Sequence, residues 1–207
     1  MNYLLLKAFL KKIINSQNVY NIFPESGIIF IHIPKTGGTS ITSVLQNVEG
    51  TEWVSKSHNH IGKFENIKDY YIMCFVRNPY TRFASAYNHQ CRKDGFMSVH
   101  KFIENIHEHD YLFFPQSYFI QNGSTEDKKV SFIGRYENFI NDVNFILDKV
   151  ESNENIPHLN RNPIYDKHPS LNQENFYKHI YQEEWMKNWV RERYSNDFKI
   201  FNYDMDI

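Results

Sequence analysis

Two short stretches of this 207-residue chain combine a charge, hydroxyls and a helix-opening turn, and a third offers two imidazoles. The first is Ile28-Ile-Phe-Ile-His-Ile-Pro-Lys-Thr-Gly-Gly-Thr-Ser40. Its apolar run stops at Pro34, and Lys35, Thr36, Gly37, Gly38, Thr39 and Ser40 follow at once. Apolar residues then recur at 41, 44, 45 and 48, a helical spacing. A turn of this kind aims unpaired backbone N–H groups at the space above a helix N-terminus, where the dipole favours an anion. Lys35 adds a full charge and the hydroxyls add donors, so the chemistry offered is a phosphate or sulfate cradle.

The second stretch is Phe75-Val-Arg-Asn-Pro-Tyr-Thr-Arg-Phe-Ala-Ser-Ala-Tyr87. Asn78 suits an N-cap and Pro79 the first helical position. Arg77 then sits where a strand ends and a helix begins, with Ser85 later on that helix. An arginine fork with a hydroxyl suits a terminal phosphate. The third stretch, Ser57-His-Asn-His-Ile-Gly-Lys-Phe64, places His58 and His60 between the two anion motifs. Either can serve as a proton acceptor, and residues 58–60 alone do not choose between them. A His-x-His pair also invites a metal, but no third ligand stands out, so no metal is expected. His32 falls inside a strand and reads as core or support. His89, His100, His107 and His109 read as solvated helix faces.

The nucleotide-triphosphate loop puts its lysine after the second glycine; here Lys35 precedes both, and the upstream glycine is missing. The dinucleotide pattern G-x-G-x-x-G is absent. The order Pro34-Lys-Thr-Gly-Gly-Thr-Ser40 resembles the 5'-phosphosulfate loop of sulfotransferases that use 3'-phosphoadenosine 5'-phosphosulfate (PAPS). The stretch 75–87 resembles the 3'-phosphate motif of the carbohydrate branch, in which the arginine and the serine hold that phosphate. Pro115-Gln-Ser-Tyr118, Phe132-Ile-Gly-Arg-Tyr-Glu-Asn-Phe139, His158-Leu-Asn160 and Tyr194…Asp197…Phe201-Asn-Tyr203 resemble further signatures, so the likeness runs from about Ile28 to Asp204.

The resemblance implies sulfuryl transfer from PAPS to a hydroxyl of a glycan. Lys35, helped by the N–H groups of Gly37, Gly38 and Thr39, would stabilise the leaving group, and a histidine would be the base. Relatives carry a His or His-x-His at this place; Ile61 and Phe64 fit that pattern best from His58, with His60 the alternative. The other readings are a nucleotide kinase, which needs the missing loop, and a nucleotide-binding module without turnover. Arg135, Glu137, His158, Asn160 and Arg161 receive no firm role.

The elements that must position these residues are readable. Apolar runs predict strands at 28–33, 70–76 and 130–134, each followed by a helix, at 38–48, 79–90 and 136–150. In the last helix the stripe is Tyr136, Phe139, Ile140, Val143, Ile146, Leu147 and Val150. Residues 173–193 read as helical, with Phe176, Ile180, Trp185 and Trp189 toward the core. Alternating strands and helices predict an α/β fold: a single-domain, P-loop-like parallel sheet with helices on both faces, and sites at the strand C-termini. A lead-in over 1–27, amphipathic in its first 14 residues, precedes the main domain at 28–207.

Composition narrows the class. With 41% hydrophobic residues the chain can bury a core. Residues 1–101 carry 12 Lys and Arg against 6 Asp and Glu, and the rest 11 against 18. The positive half holds both anion motifs, which suits an anionic substrate, while the near-neutral whole does not suit a nucleic-acid partner. Lys7, Lys11 and Lys12 break the N-terminal apolar run, so no membrane-spanning helix is expected; the segment reads as an amphipathic helix packing on the domain, with weak contact with a membrane surface as the alternative. Two cysteines make no disulfide framework. Golgi relatives carry a spanning anchor; its absence here leads to the expectation of a cytoplasmic, bacterial enzyme. The acceptor's identity and the oligomeric state are not legible.

Overall fold

The computed structural model describes residues 21–23, 26–49, 58–64, 67, 69–95, 98–106, 110–121, 129–154, 177 and 179–207. The N-terminal amphipathic segment, His107, His109, His158, Asn160, Arg161 and Phe176 lie outside these residues. The chain forms two compact units, residues 1–76 with 118–159, and residues 77–117 with 160–207.

The first unit holds a four-stranded sheet in the order β1 (Ile22–Phe23), β2 (Ile28–Ile31), β3 (Tyr71–Val76) and β4 (Phe132–Arg135). Strands β2, β3 and β4 run parallel, with Ile31 opposite Cys74 and Val76 opposite Arg135. The three expected strands are therefore present within a residue or two. Strand β1, antiparallel to β2, is an addition; at two residues it is too short to carry a period.

Alternation within β2 and β3 sends Ile28, Phe30, Met73 and Phe75 to one face. There they meet Ile41, Val44 and Leu45 of helix α1 (Gly38–Glu49) and Val143, Ile146 and Leu147 of a later helix, Phe139–Lys149. The opposite face, Ile29, Ile31, Ile72 and Cys74, is buried too. Burial on both faces explains why these strands read as unbroken apolar runs.

The second unit is helical: α2 (Pro79–Asp94), α3 (Val99–Glu104), the opening of α4 (Gln116–Gln121), α6 (Glu184–Arg193) and α7 (Ser195–Ile200), with Phe139–Lys149 of the first unit as α5. Asn78 caps α2 as expected, its Oδ1 accepting from the Tyr80 N–H at 3.0 Å, with Pro79 at the first helical position. Phe83 and Tyr87 stack in parallel, 6.5 Å between ring centroids, among Phe102, Phe113, Val190 and Phe198.

Three expectations need correction. Trp185 is 39% exposed, set edge-on to the His100 ring, while Trp189 does pack on the core. The chain around 181–183 is not helical: Glu183 is extended and α6 starts only after it, which leaves Trp185 in the first turn of that helix. Tyr136 and Ile140 are exposed: Tyr136 sits in a tight 3-10 turn at 136–138, before α5 begins, and Ile140 lies in the first turn of α5.

Candidate active site

In the first unit, the chain leaves β2 in a tight turn, the Ile33 N–H donating back to the Ile31 carbonyl at 3.0 Å. Lys35 follows with φ +69, a left-handed backbone that a lysine rarely adopts, and Gly37 with φ +89. Two rings hold the loop. A Cβ on Gly37 would come within 2.6 Å of the Phe139 ring, and a Cβ on Gly38 would collide with the His32 ring. Both glycines are needed so that backbone can pass between side chains. Thr36, fully buried, donates its hydroxyl to the Ile33 carbonyl at 2.9 Å, so toward an anion it offers its backbone rather than its side chain. The Ser40 and Ile41 N–H groups close on the Gly37 carbonyl, leaving Gly38 and Thr39 with the orphan donors of the helix start.

His58 packs against this corner. Its Nδ1 lies 2.9 Å from the His32 carbonyl oxygen, and the two imidazoles meet at 4.4 Å between centroids. A carbonyl only accepts, so Nδ1 carries the hydrogen and Nε2 keeps its lone pair. Burial pushes the His58 pKa down; the His32 carbonyl bond pulls it up, and the charge of Lys35 pushes it down again. The net effect is a neutral imidazole with a defined tautomer beside a lysine. His60 instead sets its ring edge-on to Tyr118, 5.5 Å between centroids.

In the second unit, Arg77 is the first residue after β3 and is 4% exposed. Its Nε donates to Thr81 Oγ1 at 3.0 Å and its Nη2 to the Tyr177 hydroxyl at 2.6 Å. Ser85 lies one turn beyond Thr81 on α2, half-buried. Arg82, in the same motif, has a different task. Its guanidinium donates to the carbonyls of Phe114 at 2.6 Å and Leu112 at 3.4 Å and lies over the Tyr194 ring.

The sequence profile of the sulfotransferase family matches residues 18–204, nearly the whole chain and both units. The chain belongs to the sulfotransferase family. Comparison with curated proteins gave no match, and comparison with solved structures gave none. Membership makes this a transferase that moves sulfuryl groups, and the mixed sheet flanked by helices agrees with that fold.

The residues expected at the site of this sulfotransferase-family chain fall into two sets. Lys35, Thr36, Gly37, Gly38, Thr39, Ser40 and His58 gather at the C-terminal end of β2; Arg77 and Ser85 belong to the second unit. His32, read from the sequence as core or support, is buried and holds His58 through its carbonyl; Thr81 and Tyr177 are partners of Arg77 that sequence reasoning did not assign. Thr81 was signalled by its spacing, four residues after Arg77 and four before Ser85; Tyr177, a hundred residues from Arg77, had no local signal. Arg135 donates its backbone N–H to Asp142 at 2.6 Å, so Asp142 is a brace for the β4–α5 corner that composition did not reveal. Among the described residues no cluster of three or more His, Cys, Asp or Glu could hold a metal ion. Among them, too, no helix is long and apolar enough to cross a membrane.

Proposed function

We propose that this chain transfers a sulfuryl group from PAPS to a hydroxyl of a carbohydrate acceptor. When bound, the donor supplies a sulfuryl group whose S–O bond to the 5'-phosphate breaks as a bond to the acceptor oxygen forms. Lys35 and the N–H groups of Gly37, Gly38 and Thr39 stabilise the charge left on the departing phosphate oxygen. His58 takes the acceptor's proton on Nε2, and its Nδ1–H stays bonded to the His32 carbonyl throughout. Arg77 holds the 3'-phosphate with Ser85.

The observation that carries this reading is the hydrogen bond of His58 Nδ1–H to the His32 carbonyl where β2 gives way to the glycine loop: it fixes the tautomer, and burial and the charge of Lys35 hold the imidazole neutral. The chosen base is His58 rather than His60, because His58 has both the locked Nδ1–H and the lysine beside it. The loop fits a phosphosulfate on its own terms. Gly38 has no Cβ to collide with the His32 ring, so the loop can close tightly over the start of α1, where the first N–H groups of a helix lack partners within it. The carbohydrate class rests on the resemblance of residues 75–87 to that branch. A cytoplasmic location belongs to the same proposal, supported by two cysteines, Cys74 and Cys91, that form no disulfide.

The test is a transfer screen with radiolabelled PAPS against glycans, phenols, sterols and tyrosine peptides, alongside calorimetry with adenosine 3',5'-bisphosphate. Label on a glycan hydroxyl is the expected result. Label only on another class would remove the carbohydrate assignment. Tight nucleotide binding with no transfer would make the chain a binding module, and magnesium-dependent ATP binding would favour a phosphoryl transferase.

A further inference from the structure

Arg77 presents a backbone problem that the family motif does not solve. It lies beyond the last ladder pair of β3, Val76 with Arg135, and before the helix that opens at Pro79. A buried peptide needs partners for both its N–H and its C=O. One side chain provides them. The Gln116 carboxamide accepts from the Arg77 N–H through Oε1 at 2.8 Å and donates to the Arg77 carbonyl through Nε2 at 2.8 Å. The amide thus acts as a single extra strand residue clasping Arg77 on both sides.

Gln116 is itself held. It is fully buried at the start of α4. Its backbone N–H donates to Asp197 Oδ2 at 2.7 Å, and the Ser117 N–H to Asp197 Oδ1 at 2.8 Å. Asp197, 0% exposed, spends both oxygens on this helix start, where the dipole favours its charge. We infer that Gln116 and Asp197 are positioning residues for the phosphate grip of Arg77: the carboxylate fixes the amide, the amide fixes the arginine's peptide, and the peptide sets where the guanidinium points. This inference rests on the proposal that Arg77 holds the 3'-phosphate. It gives a physical task to Gln116 and Asp197 within the two stretches Pro115–Tyr118 and Tyr194–Tyr203.

The test measures, by calorimetry, the affinity ratio between adenosine 3',5'-bisphosphate and adenosine 5'-phosphate. A residue that serves stability alone changes both affinities together; a positioning residue changes the ratio. Gln116→Leu keeps the volume and removes the clasp. It should lower the ratio about tenfold while leaving adenosine 5'-phosphate binding within about twofold. Asp197→Asn keeps one acceptor but turns an NH2 toward the other N–H, and should lower the ratio by less; it also serves if the leucine variant does not fold. The double variant Arg77→Ala/Gln116→Leu should show no lower ratio than Arg77→Ala alone. Equal losses for both nucleotides in the Gln116 and Asp197 variants, with Arg77→Ala still collapsing the ratio, would overturn the inference and leave the phosphate assignment standing. An unchanged ratio in Arg77→Ala would overturn the assignment itself, and the inference with it.

Discussion

Lys35 is pulled two ways. Its side chain is the cation of the loop, but its backbone sits in the left-handed region, which costs a non-glycine residue about 1–2 kcal/mol. Glycine would relieve the backbone and lose the charge. Lys35→Gly and Lys35→Ala should both lower turnover by about a hundred- to a thousandfold. Unusually for such a pair, the glycine variant should be at least as stable as the alanine variant in urea denaturation. Undiminished turnover in either would remove Lys35 from the mechanism. His58 adds a pH signature. Its lowered pKa keeps the imidazole neutral, and so able to accept a proton, to pH values below its usual value of about 6.5. The acid limb of kcat should therefore lie below that value. His58→Ala should cost about a hundred- to ten-thousandfold and abolish the limb. Lys35→Met removes a neighbouring positive charge, so the His58 pKa should rise in that variant, as read by an NMR titration of the ring. A fall or no change would refute the coupling.

At the scale of elements, Arg82 separates structure from function inside one motif. Arg77 and Arg82 are five residues apart and equally basic, but Arg82 ties the α2 helix to the carbonyls of Leu112 and Phe114. Arg82→Met should leave those carbonyls without their donor and destabilise the protein by about 1.5–3 kcal/mol in urea. At temperatures where it stays folded, the nucleotide affinity ratio should be unaltered; a collapsed ratio would place Arg82 in the binding site after all.

The strands β2, β3 and β4 and the starts of α1 and α2 were legible in the sequence, because buried parallel strands and capped helices leave strong local patterns. The residues expected to form the cradle lie together in the turn that leaves β2, where that local pattern put them. What escaped was set by distance or by backbone angle. The left-handed turn at Lys35 has no residue signature, because glycine or asparagine would be the usual sign of it. Tyr177 and Asp197 act on residues far away in sequence, and no periodicity links them. Trp185 and Tyr136 were misjudged because a helical wheel assumes an unbroken helix: Tyr136 lies in a 3-10 turn before α5 begins, and Trp185 lies in the first turn of α6, which starts only at Glu184.

For the molecule as a whole, the two compact units each have a core of their own, and the family profile spans both. The loop belongs to one and Arg77 to the other. A ligand that binds only the folded chain stabilises it by about 2.7 kcal/mol at a hundred times its Kd. For a chain of this length that corresponds to about 5–10 °C in the thermal midpoint. Adenosine 3',5'-bisphosphate should produce that shift in the wild type and a much smaller one in Arg77→Ala. A shift that adenosine 5'-phosphate matches at equal multiples of its own Kd, with affinities alike, would leave the 3'-phosphate with no measurable grip. Added salt should weaken the binding of either nucleotide, since its partners are charges.

The clasp on Arg77 also sets an order of events during synthesis. Gln116 emerges from the ribosome 81 residues before the carboxylate that fixes it. At about 5–20 residues per second that is a wait of about 4–16 s. Until then the arginine is present but its bracket is unanchored. Nascent chains stalled before residue 197 should fail to discriminate the 3'-phosphorylated nucleotide, and chains released a short way past it should gain that ability in one step.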